Sequence, residues 1–133
     1  TVNDDDGPAT FVATGVGVAP FCSMIPDLLN RQANDTVTLI FGVRNQKDVF
    51  YHDRFSLLAA EHKNFSFIPL LSQPSEGWGG GVGRVTYFLE TEYQRFANST
   101  YYLCGSAEMV KDTRALLLEK GHEMKKIKLE IFT

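Results

Sequence analysis

The sequence predicts an α/β fold in three layers, with a five-stranded parallel sheet between two layers of helices. Residues 36–43 (TVTLIFGV) form a continuous apolar run, which is typical of a strand buried on both faces. Strand patterns alternate with helix patterns along the whole chain, as in consecutive βαβ units. The first strand pattern ends at Gly15 and Gly17, and a helix pattern follows directly, which indicates a strand–turn–helix unit.

Five strands and four helices are predicted. The strands cover residues 9–14, 36–43, 65–71, 100–104 and 127–132. The helices run from Pro20 to about residue 32 and over residues 51–62, 85–96 and 107–120, with Gly121 as the C-terminal cap of the last. Pro26 is expected to kink or restart the first helix, and Pro69 suggests a sheet edge or a strand end. Residues 72–83 (SQPSEGWGGGVG) contain five glycines and are expected to form a loop.

Composition narrows the classes of protein to consider. With 133 residues, 44% hydrophobic and 22% charged, the chain is typical of one globular domain. The net charge of -3 provides no basic face for a phosphate backbone, so nucleic acid is not expected as a partner. Cys22 and Cys104 are far apart and form no CxxC pair, which argues against a metal site or a disulfide scaffold. No apolar run approaches the ~20 residues of a membrane span, and a cytoplasmic protein is expected.

The first eight residues are expected to be a linker. Residues 3–8 (NDDDGP) are charged and turn-rich, and they lead directly into the first apolar strand. The chain also starts at Thr1 and not at methionine, which is typical of a domain excised from a longer protein, although a processed terminus would look the same. We therefore expect residues 1–8 to be a linker and residues 9–133 to be one domain.

The first candidate site is the segment of residues 14–20 (TGVGVAP), called here the glycine loop. Its glycines, Gly15 and Gly17, let the backbone approach a ligand, and the helix that follows presents free N–H groups and a partial positive charge. A pyrophosphate would fit such a loop. The spacing is G-x-G-x-x-P and not G-x-G-x-x-G, so a plain strand-to-helix turn explains this segment by itself equally well.

Two further candidates lie towards the C-terminus. Residues 104–109 (CGSAEM) join the fourth predicted strand to a helix and place Cys104 at the same sheet edge as the glycine loop. A buried cysteine is more often a small apolar residue than a reactive one. Glu130 lies between two apolar residues of the last predicted strand, where an exposed strand glutamate is the ordinary explanation.

Together these segments resemble the ferredoxin–NADP reductase family. The resemblance rests on residues 11–24 (FVATGVGVAPFCSM), 39–51 (LIFGVRNQKDVFY), 71–86 with their GRVT ending, 101–109 (YYLCGSAEM) and 130–132 (EIF) in this order. It covers nearly the whole chain, and the order and spacing of TGVGVAP, GVR and CGSAEM are more specific than any one motif.

The resemblance implies an NAD(P)-binding domain that is normally preceded, in the same polypeptide, by an FAD- or FMN-binding β-barrel. In this family hydride passes between nicotinamide C4 and flavin N5, and the flavin then passes single electrons to an acceptor such as an iron–sulfur protein or a haem. The barrel is not in this sequence, so the chain is expected to be inactive alone.

The resemblance also assigns residues to parts of the cofactor. Thr14, Gly15, Val16, Gly17 and Pro20 match the loop beneath the nicotinamide ribose and the pyrophosphate. Cys104 matches the cysteine beside the nicotinamide ring, where it would position the ring, and Gly105 keeps the approach clear. Ser106 is matched as a further cofactor-binding residue. Glu130 matches an acidic residue near the redox centre, where it could orient the nicotinamide or stabilise charge.

Arg44, Ser72 and Met109 match the residues that meet the adenosine half of the cofactor. A 2′-phosphate requires a positive charge there, whereas a bare ribose does not. Arg44 could serve NADPH, but Gln73 stands where NADPH-using bacterial relatives often have arginine. The sequence therefore favours NADH over NADPH.

Two other functions remain open. A nucleotide-sensing or interaction module could have kept the fold and lost the redox role, although Cys104 and Glu130 argue against it because a sensor needs no residues at the hydride end. An FMN carrier of the flavodoxin type is disfavoured, because the Ser/Thr-rich phosphate loop expected after the first strand is absent.

Overall fold

A computed structural model of the chain describes residues 7–31, 35–49 and 51–129. Its strands are β1 (Ala9–Thr14), β2 (Val37–Val43), β3 (Phe65–Leu71), β4 (Gly81–Val82), β5 (Thr100–Cys104) and β6 (Ile127–Leu129). Its α-helices are α1 (Phe21–Arg31), α2 (His52–Glu61), α3 (Val85–Glu92) and α4 (Ala107–Glu119). In these described residues, no helix has the length and apolar character needed to cross a bilayer.

The six strands form one parallel sheet in the order β4-β3-β2-β1-β5-β6. From β1 the chain therefore adds β2, β3 and β4 outwards on one side. It then returns to place β5 and β6 on the other side of β1, so the direction of strand order reverses between β1 and β5. In open parallel sheets, such a reversal leaves a crevice beyond the carboxyl ends of the strands, where ligands bind. The register pairs Ala13 with Cys104 and Thr14 with Gly42, so the ends of β1, β2 and β5 lie side by side.

Helices cover both faces of the sheet. On one face Phe11 of β1 packs in a buried cluster with Phe21 of α1 and Phe55 of α2. On the other face Val12 packs with Leu89 of α3 and residues of α4. Neighbouring residues of one strand thus face opposite helix layers, as the two-residue period of a strand requires. The predicted three-layer α/β/α fold is confirmed.

In the described part of the chain the sheet has six strands, one more than the five predicted. The segment expected to be a loop contains β4, whose two residues pair with Leu70 and Leu71 of β3. Gly81 lies so close to β3 that a Cβ at this position would be 2.5 Å from the Leu70 side chain. The last predicted strand is observed as Ile127–Leu129, and the rest of it, from Glu130 onwards, lies outside the described residues.

Pro26 does not restart the first helix, because α1 runs through it without interruption. A proline has no N–H, so it leaves the carbonyl four residues earlier, that of Cys22, without its helical donor. Arg54 of α2 supplies a replacement, since its Nη2 donates to the Cys22 carbonyl oxygen at 3.0 Å. The first two helices are therefore joined at the point where proline opens the hydrogen-bond ladder.

A buried histidine joins the C-terminal ends of α3 and α4. His122 is 6% exposed; its Nδ1 lies 2.7 Å from the Tyr93 hydroxyl and its Nε2 lies 2.9 Å from the Ser99 carbonyl oxygen. Because a carbonyl can only accept, Nε2 carries the proton and the Tyr93 hydroxyl donates to Nδ1. Burial lowers the pKa of His122 below its ordinary value, and the hydrogen bond to Ser99 opposes this shift. The neutral ring is thus the form that this packing accommodates.

Candidate functional site

A cleft of about 800 Å³ opens at the carboxyl ends of the strands, where strand order reverses. Its walls are the ends of β1, β2, β3 and β5 together with the first residues of α3 and α4. This volume lies within the range of about 300–1,000 Å³ typical of small-molecule sites. Position and size both identify the cleft as the candidate binding site.

The base of the cleft is a backbone contact between the glycine loop and the turn after β5. A Cβ at Gly17 would lie 2.5 Å from the Gly105 Cα, 2.6 Å from the Gly105 nitrogen and 2.6 Å from the Cys104 carbonyl oxygen. A Cβ at Gly105 would in turn meet the Thr14 Oγ1 atom and, at 2.8 Å, the Met109 Cε atom. Only glycine at both positions permits this approach.

The glycine loop has a conformation more specific than a simple tight turn. Gly15 has φ +55°, and residues Gly15–Val18 form a 3-10 turn before α1 begins. Val16 lines the cleft and is 65% exposed. Pro20 does not line the cleft; its carbonyl oxygen accepts from the Met24 N–H at 3.3 Å, at the start of α1.

The start of α3 closes the cleft above β2. A Cβ at Gly42 would be 2.8 Å from the Val85 Cγ1 atom and 3.6 Å from the Thr14 Cγ2 atom. Glycine at this strand position therefore lets the first residue of α3 lie directly on the end of β2. This packing places Arg84, the residue before α3, in the cleft wall.

The start of α4 forms the opposite wall. Ser106 caps this helix, because its Oγ accepts from the Met109 N–H at 3.1 Å. The Thr113 hydroxyl donates to the Met109 Sδ at 3.3 Å. Met109 is therefore held through both its backbone N–H and its sulfur atom. The Ser106 N–H donates to the Thr14 Oγ1 at 3.3 Å, which joins this wall to the end of β1.

Charges of both signs line the cleft. The cations are Arg44, after β2, and Arg84. The carboxylates are Asp48, and Glu108 and Asp112, which lie one turn apart on α4. Among the lining residues that the structure describes, two arginines against three carboxylates give a slight excess of negative charge.

Most of the residues predicted for the site line this one cleft: Thr14, Gly15, Val16, Gly17, Arg44, Ser72, Gly105, Ser106 and Met109. Cys104 does not line it. Its side chain is 1% exposed and belongs to the apolar cluster on the α1 side of the sheet, while its carbonyl oxygen faces the glycine loop. Glu130 lies outside the described residues.

Sequence reasoning missed half of the cleft wall: Gly42, Val43, Asp48, Gly83, Arg84, Val85, Thr86, Glu108 and Asp112. Two signals were available. Gly42 interrupts an apolar strand, which indicates that another segment approaches the strand backbone closely. Glu108 and Asp112 are four residues apart near the start of α4, which puts both on one face of the helix. Residues 83–86 are the GRVT ending that contributed to the resemblance, but no role was assigned to them. Among the residues that the structure describes, no His, Cys, Asp and Glu cluster could hold a metal ion.

A family model described as the oxidoreductase NAD-binding domain matches residues 11–115 of the chain. The chain belongs to this family. The match includes both the glycine loop and the turn after β5, the two segments that meet at the base of the cleft. The expected ferredoxin reductase-like NAD-binding fold is confirmed.

Three similar proteins agree with this assignment. The reductase component of phenol 2-monooxygenase from a Pseudomonas species is 34% identical over 116 aligned residues, covering 85% of this chain and 33% of that protein. An NADH-cytochrome b5 reductase of Pyricularia oryzae is 33% identical over 130 residues, covering 91% of this chain and 42% of that protein. A crystal structure of a ferredoxin NADP+ reductase from Neisseria gonorrhoeae with bound FAD and NADP has a TM-score of 0.77 and 27% identity, covering 95% of this chain and 56% of that one.

The chain spans 33% and 42% of the length of the two curated relatives named above. It is an oxidoreductase NAD-binding domain.

Proposed function

We propose that this chain binds NAD(P)H in the cleft at the ends of β1 and β5 and presents it to a flavin held by another domain. The observation that carries the proposal is the contact of Gly17 with Gly105, which clears side chains from the base of a cleft at the strand-order reversal. A dinucleotide needs such a place, where backbone N–H groups can approach a pyrophosphate. When bound, the nicotinamide would supply hydride from its C4 to flavin N5.

Each part of the cleft has a proposed role. The glycine loop, Thr14 to Gly17 with Pro20 at its end, holds the pyrophosphate and the nicotinamide ribose. Gly105 and Ser106 line the nicotinamide end. Cys104 supports the turn there from beneath, since its side chain is buried and only its carbonyl oxygen faces the loop. Glu130, which follows the last residue of β6, is proposed from the sequence alone to orient the nicotinamide or stabilise its charge.

The adenosine end is proposed to lie along Arg44, Ser72 and Met109. We infer a preference for NADH from two observations. Gln73 carries no charge, and the carboxylates of the cleft lining outnumber its arginines, which disfavours the additional charge of a 2′-phosphate.

The partners follow from the same proposal. The first is an FAD- or FMN-binding domain of the same polypeptide, for which residues 1–8 would be the linker and residues 9–133 the nucleotide domain. The second is an electron acceptor, such as an iron–sulfur protein or a haem. A cytoplasmic location is proposed for the assembled reductase.

Isothermal titration of the chain with NADH and with NADPH tests the proposal. We expect weak binding of both, with the smaller dissociation constant for NADH, because the flavin domain normally completes the nicotinamide pocket. Adding a flavin-binding domain in trans should then produce NAD(P)H oxidation. Absence of binding to both nucleotides at millimolar concentration would contradict the proposal.

Two neighbouring substitutions control for a general charge effect. Arg44→Ala removes a cation from the cleft lining, whereas Lys47→Ala removes one from the exposed turn that follows, outside the lining. Arg44→Ala should weaken nucleotide binding by about tenfold or more, because a hydrogen bond to a charged group contributes ~1.5–3 kcal/mol and ~1.4 kcal/mol corresponds to a factor of ten. Lys47→Ala should change it less than about twofold, and equal effects would indicate long-range electrostatics and not contact.

A further inference from the structure

The side chain of Thr14 lies where three strand ends meet. Its Oγ1 atom is in the space that a Cβ at Gly105 would need, and its Cγ2 atom is 3.6 Å from the position of a Cβ at Gly42. Both neighbours are glycines, so the threonine side chain fills the space between the ends of β2 and β5. Its orientation is therefore fixed by packing on both sides.

The Thr14 hydroxyl also accepts from the backbone N–H of Ser106 at 3.3 Å. Ser106 in turn caps α4 through the Met109 N–H. One hydroxyl group thus connects the end of β1 to the first turn of α4 and, through Gly105, holds the turn that lies under the nicotinamide end of the proposed site.

We propose that Thr14 is a positioning residue for hydride transfer: its hydroxyl fixes the backbone of Gly105 and Ser106 against β1 so that the nicotinamide is presented in one geometry. This inference rests on the proposed function. Thr14 contributes to the proposed binding loop through its backbone, whereas its hydroxyl is engaged by the Ser106 N–H. Loss of the hydroxyl should therefore affect the reaction rate more than the binding constant. Small displacements of a reacting group reduce rates steeply because the reacting atoms must lie within a narrow distance range.

Thr14→Val keeps the shape and removes the hydroxyl, and Thr14→Ser keeps the hydroxyl and removes the methyl group. Flavin reduction is measured by stopped flow, with a flavin-binding domain supplied in trans, over a range of NADH concentrations. We expect Thr14→Val to lower the rate at saturating NADH by about tenfold and to change the dissociation constant less than about twofold. Thr14→Ser should restore the rate. Thr91→Val, the same change at an exposed position on α3 outside the cleft lining, should have no effect.

Hydrogen–deuterium exchange at the Ser106 amide, followed by NMR in the chain alone, tests the hydrogen bond directly. The amide should be protected in the wild type and in Thr14→Ser, and should exchange faster in Thr14→Val. An unprotected amide in the wild type would overturn the inference, even if Thr14→Val did not fold.

The kinetic outcomes separate this inference from the proposed function. A Thr14→Val variant that loses affinity and keeps its rate at saturation would show that Thr14 binds the nucleotide directly. An unchanged rate and affinity would show that the hydrogen bond serves only the fold. If the wild type neither binds NADH nor reduces the flavin, while its Ser106 amide is protected, the proposed function fails and the connection between β1 and α4 is a structural one.

Discussion

Replacing Gly17 by alanine is the most direct test of the contact at the base of the cleft. The added Cβ would lie 2.5–2.6 Å from three atoms, all of them backbone atoms of Cys104 and Gly105, whereas ordinary contact begins at 3.4 Å. The glycine loop and the turn after β5 must therefore separate by nearly an ångström. No side chain can move aside to relieve the contact.

The size of the effect follows from this rigidity. Inserting a methyl group into a packed region costs typically about 1–3 kcal/mol, and the upper half of that range applies because backbone must shift. For a domain of this size the melting temperature should fall by about 6–12 °C. Because the separation also opens the base of the cleft, NADH binding should weaken at least about tenfold, the factor that corresponds to ~1.4 kcal/mol.

Differential scanning calorimetry and titration with NADH measure the two effects. Gly79→Ala is the matched control, since a Cβ at Gly79 has nothing within 4 Å and its stability should change by no more than about 0.5 kcal/mol. Gly15→Ala separates conformation from contact: it has open space but φ +55°, so we expect a cost of about 1 kcal/mol. A Gly17→Ala protein that melts within about 2 °C of Gly79→Ala would refute the close packing of the two turns.

Two further predictions concern regions outside the cleft. Arg54→Ala should lower the free energy of unfolding by about 1–2 kcal/mol, because it leaves the Cys22 carbonyl without a donor. In a Pro26→Ala background, where a helical N–H is restored, urea unfolding should show a smaller decrease for Arg54→Ala. An equal decrease in the two backgrounds would contradict the explanation. Burial lowers the pKa of His122, so the folded state binds a proton at this ring less readily than the unfolded chain does. The contribution of neutral His122 to the free energy of unfolding should therefore be fully present above about pH 6.5 and should decrease as the pH falls below that value. Thermal melts of the wild type and His122→Gln between about pH 7.5 and about pH 5 should show a melting temperature that falls more steeply with decreasing pH in the wild type. Parallel curves would exclude His122 as the titrating group. The hydrogen bond between His122 and Tyr93 would then not depend on the charge of the ring.

The sequence was informative wherever one segment carries its own pattern. The long strands were predicted because each is a run of mostly apolar residues, and α4 was predicted through its amphipathic pattern and its C-terminal Gly121, which has φ +92°. Two-residue β4 has no such pattern, since Gly81 is in the sheet only because it packs on Leu70. A local signal cannot report a contact that tertiary packing creates.

The same reasoning applies to the residues that line the cleft. The glycines of the loop and of the turn after β5 could be singled out in the sequence because glycine lets backbone approach closely whatever surrounds it, and they lie in the cleft lining. Arg84 was noticed only as part of the GRVT ending and was given no role, because its place in the wall depends on α3 lying on Gly42, a contact between segments far apart in the chain. Cys104 was expected near the ring, but the alternation of β5 directs its side chain to the α1 face, and only its backbone reaches the loop.

The base and the margins of the cleft should tolerate substitution differently. At its base a ligand meets backbone, because Gly17 and Gly105 carry no side chains, and substitutions there disturb both the fold and binding. At its margins a ligand meets the side chains of Arg44, Arg84 and Glu108, all of which are exposed. Exposed side chains away from special contacts change stability by only about 0.5 kcal/mol. Preference between the two nicotinamide nucleotides can therefore be altered at the margins with little loss of stability, whereas the capacity to bind a dinucleotide depends on the two glycines.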